Sequence, residues 1–316
     1  MESRPRGRRA PTSHLERQFT LQQLRVFKSV VDHRSFTRAA ASLFLTQPAV
    51  THQVQALSRT MGQPLFTGRG TTSLTPLGDV VYDKACRILT DLRELSEAME
   101  DVDAIRAGTI RVTGDVTFGT YILPRAVGAF RSVHPDVQVQ LTVAHGSTIR
   151  DRLLHREADL GVVGRLWQDS RIGSRPVMEN IVACYCAPGH RLASGESVRL
   201  ESLAERVLLL REEGAGLSDA VQKVFDGAGL TLRPAMLIAD NEARKRAAVE
   251  GLGVAVLSTY AVRSELAVGL LVPLEVDGFP IRQTWHAVWL TGHELRPPAE
   301  AFRSFLCAES WGGAEQ

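Results

Sequence analysis

The chain has no apolar stretch long enough to cross a bilayer, for which about 20 consecutive residues are needed. Its N-terminus is rich in Arg and Pro and has no hydrophobic segment, which excludes a secretory signal peptide. Its 316 residues include only four cysteines, at positions 86, 184, 186 and 307, too few for a disulfide framework. These absences predict a cytoplasmic protein without a membrane partner, in a reducing compartment.

Motifs for catalysis and metal binding are also missing. The sequence contains no G-x-S-x-G, no H-E-x-x-H and no zinc-type cysteine pairs, and no Lys-Ser/Thr follows the glycines of Gly68-Arg69-Gly70. We expect Cys184 and Cys186 to point to opposite faces of a strand, which would make them a poor metal pair. An α/β enzyme therefore has no supporting residue set, and we predict no catalytic residue, metal or cofactor.

Positive charge is concentrated at the N-terminal end, although the net charge is only +2. Residues 1–75 hold 11 Lys and Arg against 3 Asp and Glu, a net +8, and the remainder holds 26 against 32, a net −6. This asymmetry indicates a basic N-terminal module that meets a polyanion, joined to an acidic body. Arginines 4, 6, 8 and 9 supply half of the excess, so a basic disordered arm over residues 1–18 is an alternative, and both can hold.

Residues 35–57 predict two short helices that meet at a tight turn. Ser35 and Thr46 are suitable N-caps, and Pro48 lies in the first turn of the second helix. One face of that helix is apolar, and the opposite face carries amides and hydroxyls without carboxylates, which suits the mixed donors and acceptors of a DNA major groove. The predicted DNA-contacting residues are Thr46, Gln47, Pro48, Thr51, His52, Gln55 and, farther along the chain, Arg69. An ordinary amphipathic helix pair has the same pattern, which leaves both interpretations open.

The flanking segments fit a winged helix-turn-helix. Thr20 with Gln23 matches a capping box that starts a supporting helix. Residues 64–76 predict two short extended pieces around a Gly68-Arg69-Gly70 tip, which we interpret as a wing with Arg69 placed to reach DNA. A plain surface hairpin is the alternative.

A long helix is predicted from residue 75 to about residue 107. Apolar residues recur along it at 4-3 spacing, which is typical of a coiled coil and hence of a homodimer. The proposed dimerisation residues are Val81, Ala85, Ile88, Leu92, Leu95, Met99 and Val102. The same seam could instead pack within one chain.

From residue 108 the pattern changes to alternating strands and helices around a largely parallel sheet. The predicted strands are 109–113, 137–143, 160–163, 181–186, 207–210, 235–238, 254–257 and 285–289, and the clearest helices are 121–133, 147–155 and 298–306. Ligands bind at the carboxyl ends of such strands. The candidate loops are 114–120, 145–148, 164–165 and 211–218, with a helix start at 240–242.

The residues resemble the LysR-type transcriptional regulators. The resemblance covers about residues 20–307 and is carried by SFTRAAASLFLTQPAVTHQVQAL, GQPLF, LTPLG, ADLGVVG and NEARKRAAVEGLGVAVLSTYAV. It implies a DNA-binding domain over residues 19–78, a dimerisation helix over 79–107 and an effector domain over 108–308 that resembles a periplasmic binding protein. Subdomain I would comprise 108–180 and 285–308, and subdomain II would comprise 181–284. It also implies promoter DNA and a small-molecule effector as partners, and a homotetramer built from homodimers.

Individual residues match positions that have known roles in this family. Gln47, Pro48, Thr51 and His52 match positions that meet DNA, and the effector positions would be Thr117, Gly146, Ser147, Leu210, Arg211 and Glu212. The loop REEGAGLSD is most similar to regulators of carbon-fixation and sulfur-assimilation genes. His52 stands where many members carry Arg, Ser58 stands where Glu is usual, and Leu217-Ser218 replaces the Thr-Arg of the subgroup. The alternative from another class is a ligand-binding module whose N-terminal helices only dimerise.

Overall fold

The computed structural model describes residues 19–68, 71–100, 108–193, 195, 197–211, 216–232 and 236–308. The chain divides into two compact units, Met1–Glu100 and Asp101–Gln316. Among the described helices, none combines the length and the apolarity that a bilayer span requires.

The helices of the first unit begin where their capping residues predict. They are α1 (Leu21–His33), α2 (Phe36–Ser42), α3 (Gln47–Met61) and α4 (Pro76–Glu100). Thr20 and Gln23 form the predicted capping box, with Oγ1 of Thr20 accepting from the Gln23 N–H at 3.2 Å and Oε1 of Gln23 accepting from the Thr20 N–H at 3.0 Å. The predicted caps at Ser35 and Thr46 are likewise confirmed, since their hydroxyls accept from Arg38 N–H and Ala49 N–H.

One apolar core holds this unit together. The predicted inner stripe of α3, Val50, Val54 and Leu57, is buried in it, and each such side chain stabilises the fold by about 1.5–3 kcal/mol. Ala39 and Ala40 are buried at the α2–α3 crossing, where small side chains permit close approach. Within the described residues, the predicted wing has one antiparallel bridge, Phe66 with Leu74. Its tip, residues 69 and 70, lies outside them.

The predicted dimerisation seam of α4 does not lie on a single surface. Val81 and Ala85 are buried in the core of their own unit, so their assignment to a partner interface was wrong. The reason is that α4 packs on α1 over its first turns, and a heptad pattern does not distinguish packing within a chain from packing between chains. Ile88 and Leu95 are exposed, whereas the Met99 side chain and Val102, like residues 101–107 of the predicted helix, lie outside the described part.

The described strands of the second unit form one mixed sheet. They are β1 (Thr109–Gly114), β2 (Gln138–Val143), β3 (Leu160–Val163), β4 (Ile172–Cys186), β5 (Leu208–Leu210), β6 (Met236–Leu237), β7 (Val254–Ser258), β8 (Val272–Leu274) and β9 (Ile281–Leu290). Their order is β2-β1-β3-β9-β4-β7-β5-β6, and β8 pairs with β4.

The prediction of a largely parallel sheet was wrong at its centre. β4 and β9 are the two longest strands and pair antiparallel, and β9 also pairs antiparallel with β3, as β7 does with β4. The sequence predicts strands only in the more apolar parts of β4 and β9, at 181–186 and 285–289. In their remaining parts, apolar residues such as Val177, Met178 and Ile281 stand singly or in pairs among polar, partly exposed residues, so these parts give no hydrophobic run.

Two main apolar cores lie along this sheet. Trp285, Phe118 and Phe130 belong to the first, and Val182, Phe225 and Leu274 belong to the second. The long strands connect them, with Asn180 facing Gln283 in the register. We therefore retain as a proposal the division into 108–180 with 285–308 and 181–284.

The helices of the second unit cover the sheet. They are α5 (Val116–Tyr121), α6 (Leu123–Val133), α7 (Gly146–Leu154), α8 (Leu200–Ala204), α9 (Gly216–Gly227), α10 (Asn241–Val249), α11 (Arg263–Ala267) and α12 (Pro297–Leu306). The predicted loop 114–120 was wrong, because Asp115 accepts from the Phe118 N–H and so starts α5.

The predicted orientation of Cys184 and Cys186 was also wrong. Residues two apart on a strand share a face, and both thiols are buried in the same core while Tyr185 lies in another cluster. Burial raises the pKa of the Cys184 thiol, which keeps it in the protonated form.

Candidate functional site

The solvent-facing side of α3 carries the predicted DNA-contacting residues. Thr46, Gln47, Pro48, His52 and Gln55 are exposed, and Thr51 is half-buried; Arg69 is outside the described residues. The Gln47 Nε2 donates to Thr51 Oγ1 at 3.1 Å, and that hydroxyl donates to the Gln47 carbonyl at 3.0 Å. These bonds fix the direction of the Gln47 amide before any partner is met. A helix with a preset amide at its N-terminus has the chemistry to bind a base edge bidentately.

The second unit contains a cleft of about 880 Å³. It opens where β1 and β3 end, against the start of α7 and beside residues of the second core. Four of the predicted effector residues line it, namely Thr117, Gly146, Ser147 and Arg211. Leu210 does not, because β5 lies between β7 and β6 and directs this side chain into the core. Glu212 lies outside the described residues.

Three arginines bring positive charge to this cleft. Arg150, one turn into α7, donates to Asp169 Oδ2 at 2.7 Å, and Arg165 pairs with Asp219. The Arg211 guanidinium donates to His145 Nδ1 at 3.1 Å. Hydrogen bonds from Arg171 and Arg150 lower the pKa of Asp169, which keeps it ionised. His145 precedes α7, whose positive helix end also faces the cleft and favours an anion.

Asp115 occupies the floor of the cleft as a structural carboxylate. It accepts from the N–H groups of Phe118 at 2.8 Å and Gly164 at 3.0 Å, and from Trp285 Nε1 at 3.0 Å. Burial raises its pKa, and these three donors oppose the rise. The carboxylate thereby joins the ends of β1 and β3 to the middle of β9, and its accepted hydrogen bonds reduce its repulsion of an anionic ligand.

One edge of the cleft is bridged by contacts between α5 and α10. Tyr121 donates to Glu242 at 2.6 Å, and Asn241 donates to Thr117 at 3.2 Å. The buried ammonium of Lys245 pairs with Glu242 at 2.9 Å and with Glu265 at 3.0 Å. Burial and the neighbouring Glu242 raise the pKa of the Tyr121 phenol, so it remains a hydrogen-bond donor at neutral pH.

Sequence reasoning missed Arg150 as a cleft residue, and it included Arg165 and Asn241 only as members of candidate segments, without a role for either side chain. Arg150 had a usable signal, since it follows Gly146 by four residues and therefore lies on the same helix face. Arg165 belongs to a candidate loop, but no sequence motif marks its side chain as a ligand contact. Asn241 lay within the proposed helix start at 240–242, and only the fold brings it to Thr117.

Comparisons with known proteins agree with this arrangement. Residues 21–79 match the bacterial regulatory helix-turn-helix protein, lysR family, and residues 104–310 match the LysR substrate binding domain. A RuBisCO operon transcriptional regulator of Allochromatium vinosum is 35% identical over 292 residues, covering 92% of this chain and 96% of that protein. The transcriptional activator CmpR of Synechocystis is 33% identical over 290 residues, covering 92% and 95%.

Solved structures give the same fold. The CcmR regulatory domain of Synechocystis in complex with 2-PG is 30% identical, with a TM-score of 0.59 over 63% of this chain and 96% of that one. Full-length CbnR complexed with its target DNA shares the fold at 20% identity, with a TM-score of 0.69 over 91% and 99%. The predicted resemblance and fold class are confirmed: the chain belongs to the LysR family of transcriptional regulators, with an N-terminal helix-turn-helix domain and a C-terminal effector-binding domain of the periplasmic-binding-protein type.

Proposed function

We propose that this regulator acts in the cytoplasm on a two-fold DNA site and responds to a small anionic metabolite bound in its cleft. The effector proposal rests on one observation: three arginines line a single cavity beside the start of α7, namely Arg150, Arg165 and Arg211. Guanidinium groups form strong, planar hydrogen bonds with carboxylate and phosphate groups. The cited relatives support this choice, because one regulates a RuBisCO operon and another has been solved with 2-PG.

An arginine substitution tests the charge of the effector. With 2-PG as the probe, Arg211→Gln is expected to weaken binding by roughly 10- to 150-fold, because a hydrogen bond to a charged group contributes about 1.5–3 kcal/mol. Thermal shift of the full chain measures this, since a bound ligand raises the melting temperature by mass action. Arg191→Gln is the control, because Arg191 is exposed and lies outside the cleft lining. Equal stabilisation of both variants by a neutral metabolite would contradict an anionic effector.

We propose that α3 lies in the major groove and that its exposed N-terminal residues contact bases. Gln47→Ala is expected to relax specificity by roughly 1–3 kcal/mol at one base pair, because the lost amide discriminates one base edge. Affinities for every single-base variant of a bound duplex measure this, with Gln140→Ala, an exposed glutamine of the second unit, as the control. Uniform weakening on all duplexes would show instead that Gln47 contacts phosphate.

We propose further that α4 pairs two chains through the exposed part of its seam. Ile88 and Leu95 are 36% and 58% exposed, with the half-buried Leu92 between them. Large apolar side chains spaced along an exposed helix are stabilised when a second helix covers them. A dimer would present two copies of α3, and pairing of dimers into a tetramer follows from the family resemblance.

A further inference from the structure

Phe44 is the most exposed large apolar side chain in the described residues, at 97%. It lies in the turn between α2 and α3, with a φ of +55°. Its N–H donates to the Ala41 carbonyl at 3.3 Å, and the next N–H, of Leu45, donates to the Ala40 carbonyl at 2.9 Å. The turn is therefore a hydrogen-bonded helix ending of the kind that usually places Gly or Asn at the left-handed position.

Phenylalanine is a poor choice for this position on grounds of stability. A left-handed backbone crowds the Cβ of a bulky residue, which Gly and Asn tolerate better. The flanking Leu43 and Leu45 pack against the core, but the Phe44 ring has almost no cover from its own chain. The other non-glycine residues with positive φ in the described ranges, Arg34 and Arg156, are both polar. A single exposed apolar residue would need no explanation, but a bulky ring held at a left-handed turn, where its own chain does not bury it, points to a contact outside the chain.

The position of the turn identifies that contact. Phe44 lies two residues before the Thr46 cap and three before Gln47, the first residue of α3. An α-helix is about 10–12 Å wide and so fills a major groove about 12 Å wide. The turn that precedes the N-terminus of such a helix therefore lies next to the wall of the groove. That wall consists of deoxyribose and phosphate, and a ring without charge or hydrogen-bonding groups suits the apolar face of the sugar.

We infer that Phe44 packs on a deoxyribose of the DNA backbone and anchors the N-terminus of α3 in the groove. This inference rests on the proposed role of α3 as the DNA-contacting helix. The contact is independent of sequence and involves no ion pair. It therefore contributes to affinity without contributing to base discrimination or to the release of counterions.

The test compares the full-length wild type with Phe44→Asn on one duplex that the wild type enriches from a pool of random DNA. Phe44→Asn is expected to bind roughly tenfold more weakly for each α3 engaged, since a lost apolar contact of this size changes affinity by about that factor. The ranking of single-base variants and the slope of log affinity against log salt should not change. The melting temperature should stay constant or rise, because Asn tolerates the left-handed turn.

Two further variants separate a DNA contact from a folding effect. Arg156→Asn changes a residue at a similar φ of +57° in the second unit and should leave DNA binding unchanged. Phe44→Tyr keeps the ring and should restore the affinity. Wild-type affinity in Phe44→Asn, a loss confined to one base pair, or a salt slope shallower by about 0.9 would each overturn the inference. If the wild type enriches no sequence, the proposed function fails and this inference fails with it.

Discussion

The double substitution Ile88→Lys and Leu95→Lys is expected to halve the mass of the assembly. It is also expected to weaken binding to a two-fold DNA site by about 10²- to 10⁴-fold. Both side chains are exposed in the single chain, so lysine there should cost little in the fold of one protomer. In a helix pair the same positions would place four ammonium groups in an apolar seam, which is strongly unfavourable. The loss of affinity follows because linked recognition helices bind with a high effective concentration. Sedimentation equilibrium and a titration on the same duplex measure the two effects.

The control for this experiment adds the same charge elsewhere. Leu21 and Val268 are also exposed apolar residues, at 44% and 70%, and they lie on α1 and just after α11. Lysine at both should change neither the mass nor the affinity by more than a small factor. An unchanged mass of the Ile88 and Leu95 variant would show that this part of α4 is not a dimer seam.

The second large effect is expected from Asp159→Ala, which should lower the stability of the second unit by about 3–5 kcal/mol. The Asp159 carboxylate accepts from the Arg111 N–H at 2.7 Å and from the Arg111 guanidinium at 2.9 Å. It also pairs with Arg296 at 3.3 Å, and Arg296 donates to the Thr109 carbonyl at 2.8 Å. Because the Arg111 side chain is only 7% exposed, removing the carboxylate takes a hydrogen-bonded negative charge away from a buried cation. Chemical denaturation of the full chain measures the loss.

A surface ion pair provides the control for Asp159. Glu179 pairs with Arg282 on the neighbouring strand, with side chains 48% and 63% exposed. Glu179→Ala should change stability by less than about 1 kcal/mol, since exposed pairs contribute little. Equal losses in the two variants would show that the Asp159 cluster is not a buried electrostatic core.

The helices of the first unit could be predicted because their signals are local. A cap and a four-residue period act within one or two turns, so Thr20, Ser35 and Thr46 start helices as expected. The partner of an apolar face is not local. Val81 and Ile88 belong to the same heptad pattern, but α1 covers only the first of them. The same limit explains β4, whose exposed half has no period that marks it as a strand.

The outline of the cleft and one of its three arginines could be predicted from the sequence, but the other two could not. Thr117 and Gly146 could be predicted as cleft residues because they lie in segments that follow strands, and the carboxyl ends of parallel strands meet at one edge of a sheet. Of the three arginines in the cleft, Arg211 is among the predicted effector residues. The other two, Arg150 on a helix and Arg165 after β3, take their directions from ion pairs with Asp169 and Asp219. Such pairs form between distant segments, so a single sequence gives no spacing by which to recognise them.

Enrichment of random duplex DNA by the full-length protein tests most directly whether paired α3 helices read DNA. Two inverted half-sites are expected, separated by one helical turn or a multiple of it, about 10 base pairs per turn. Affinity for the enriched duplex should fall steeply as salt rises, because phosphate contacts release counterions. Recovery of no sequence, or of a single half-site that binds as tightly as the complete site, would contradict a dimeric DNA reader.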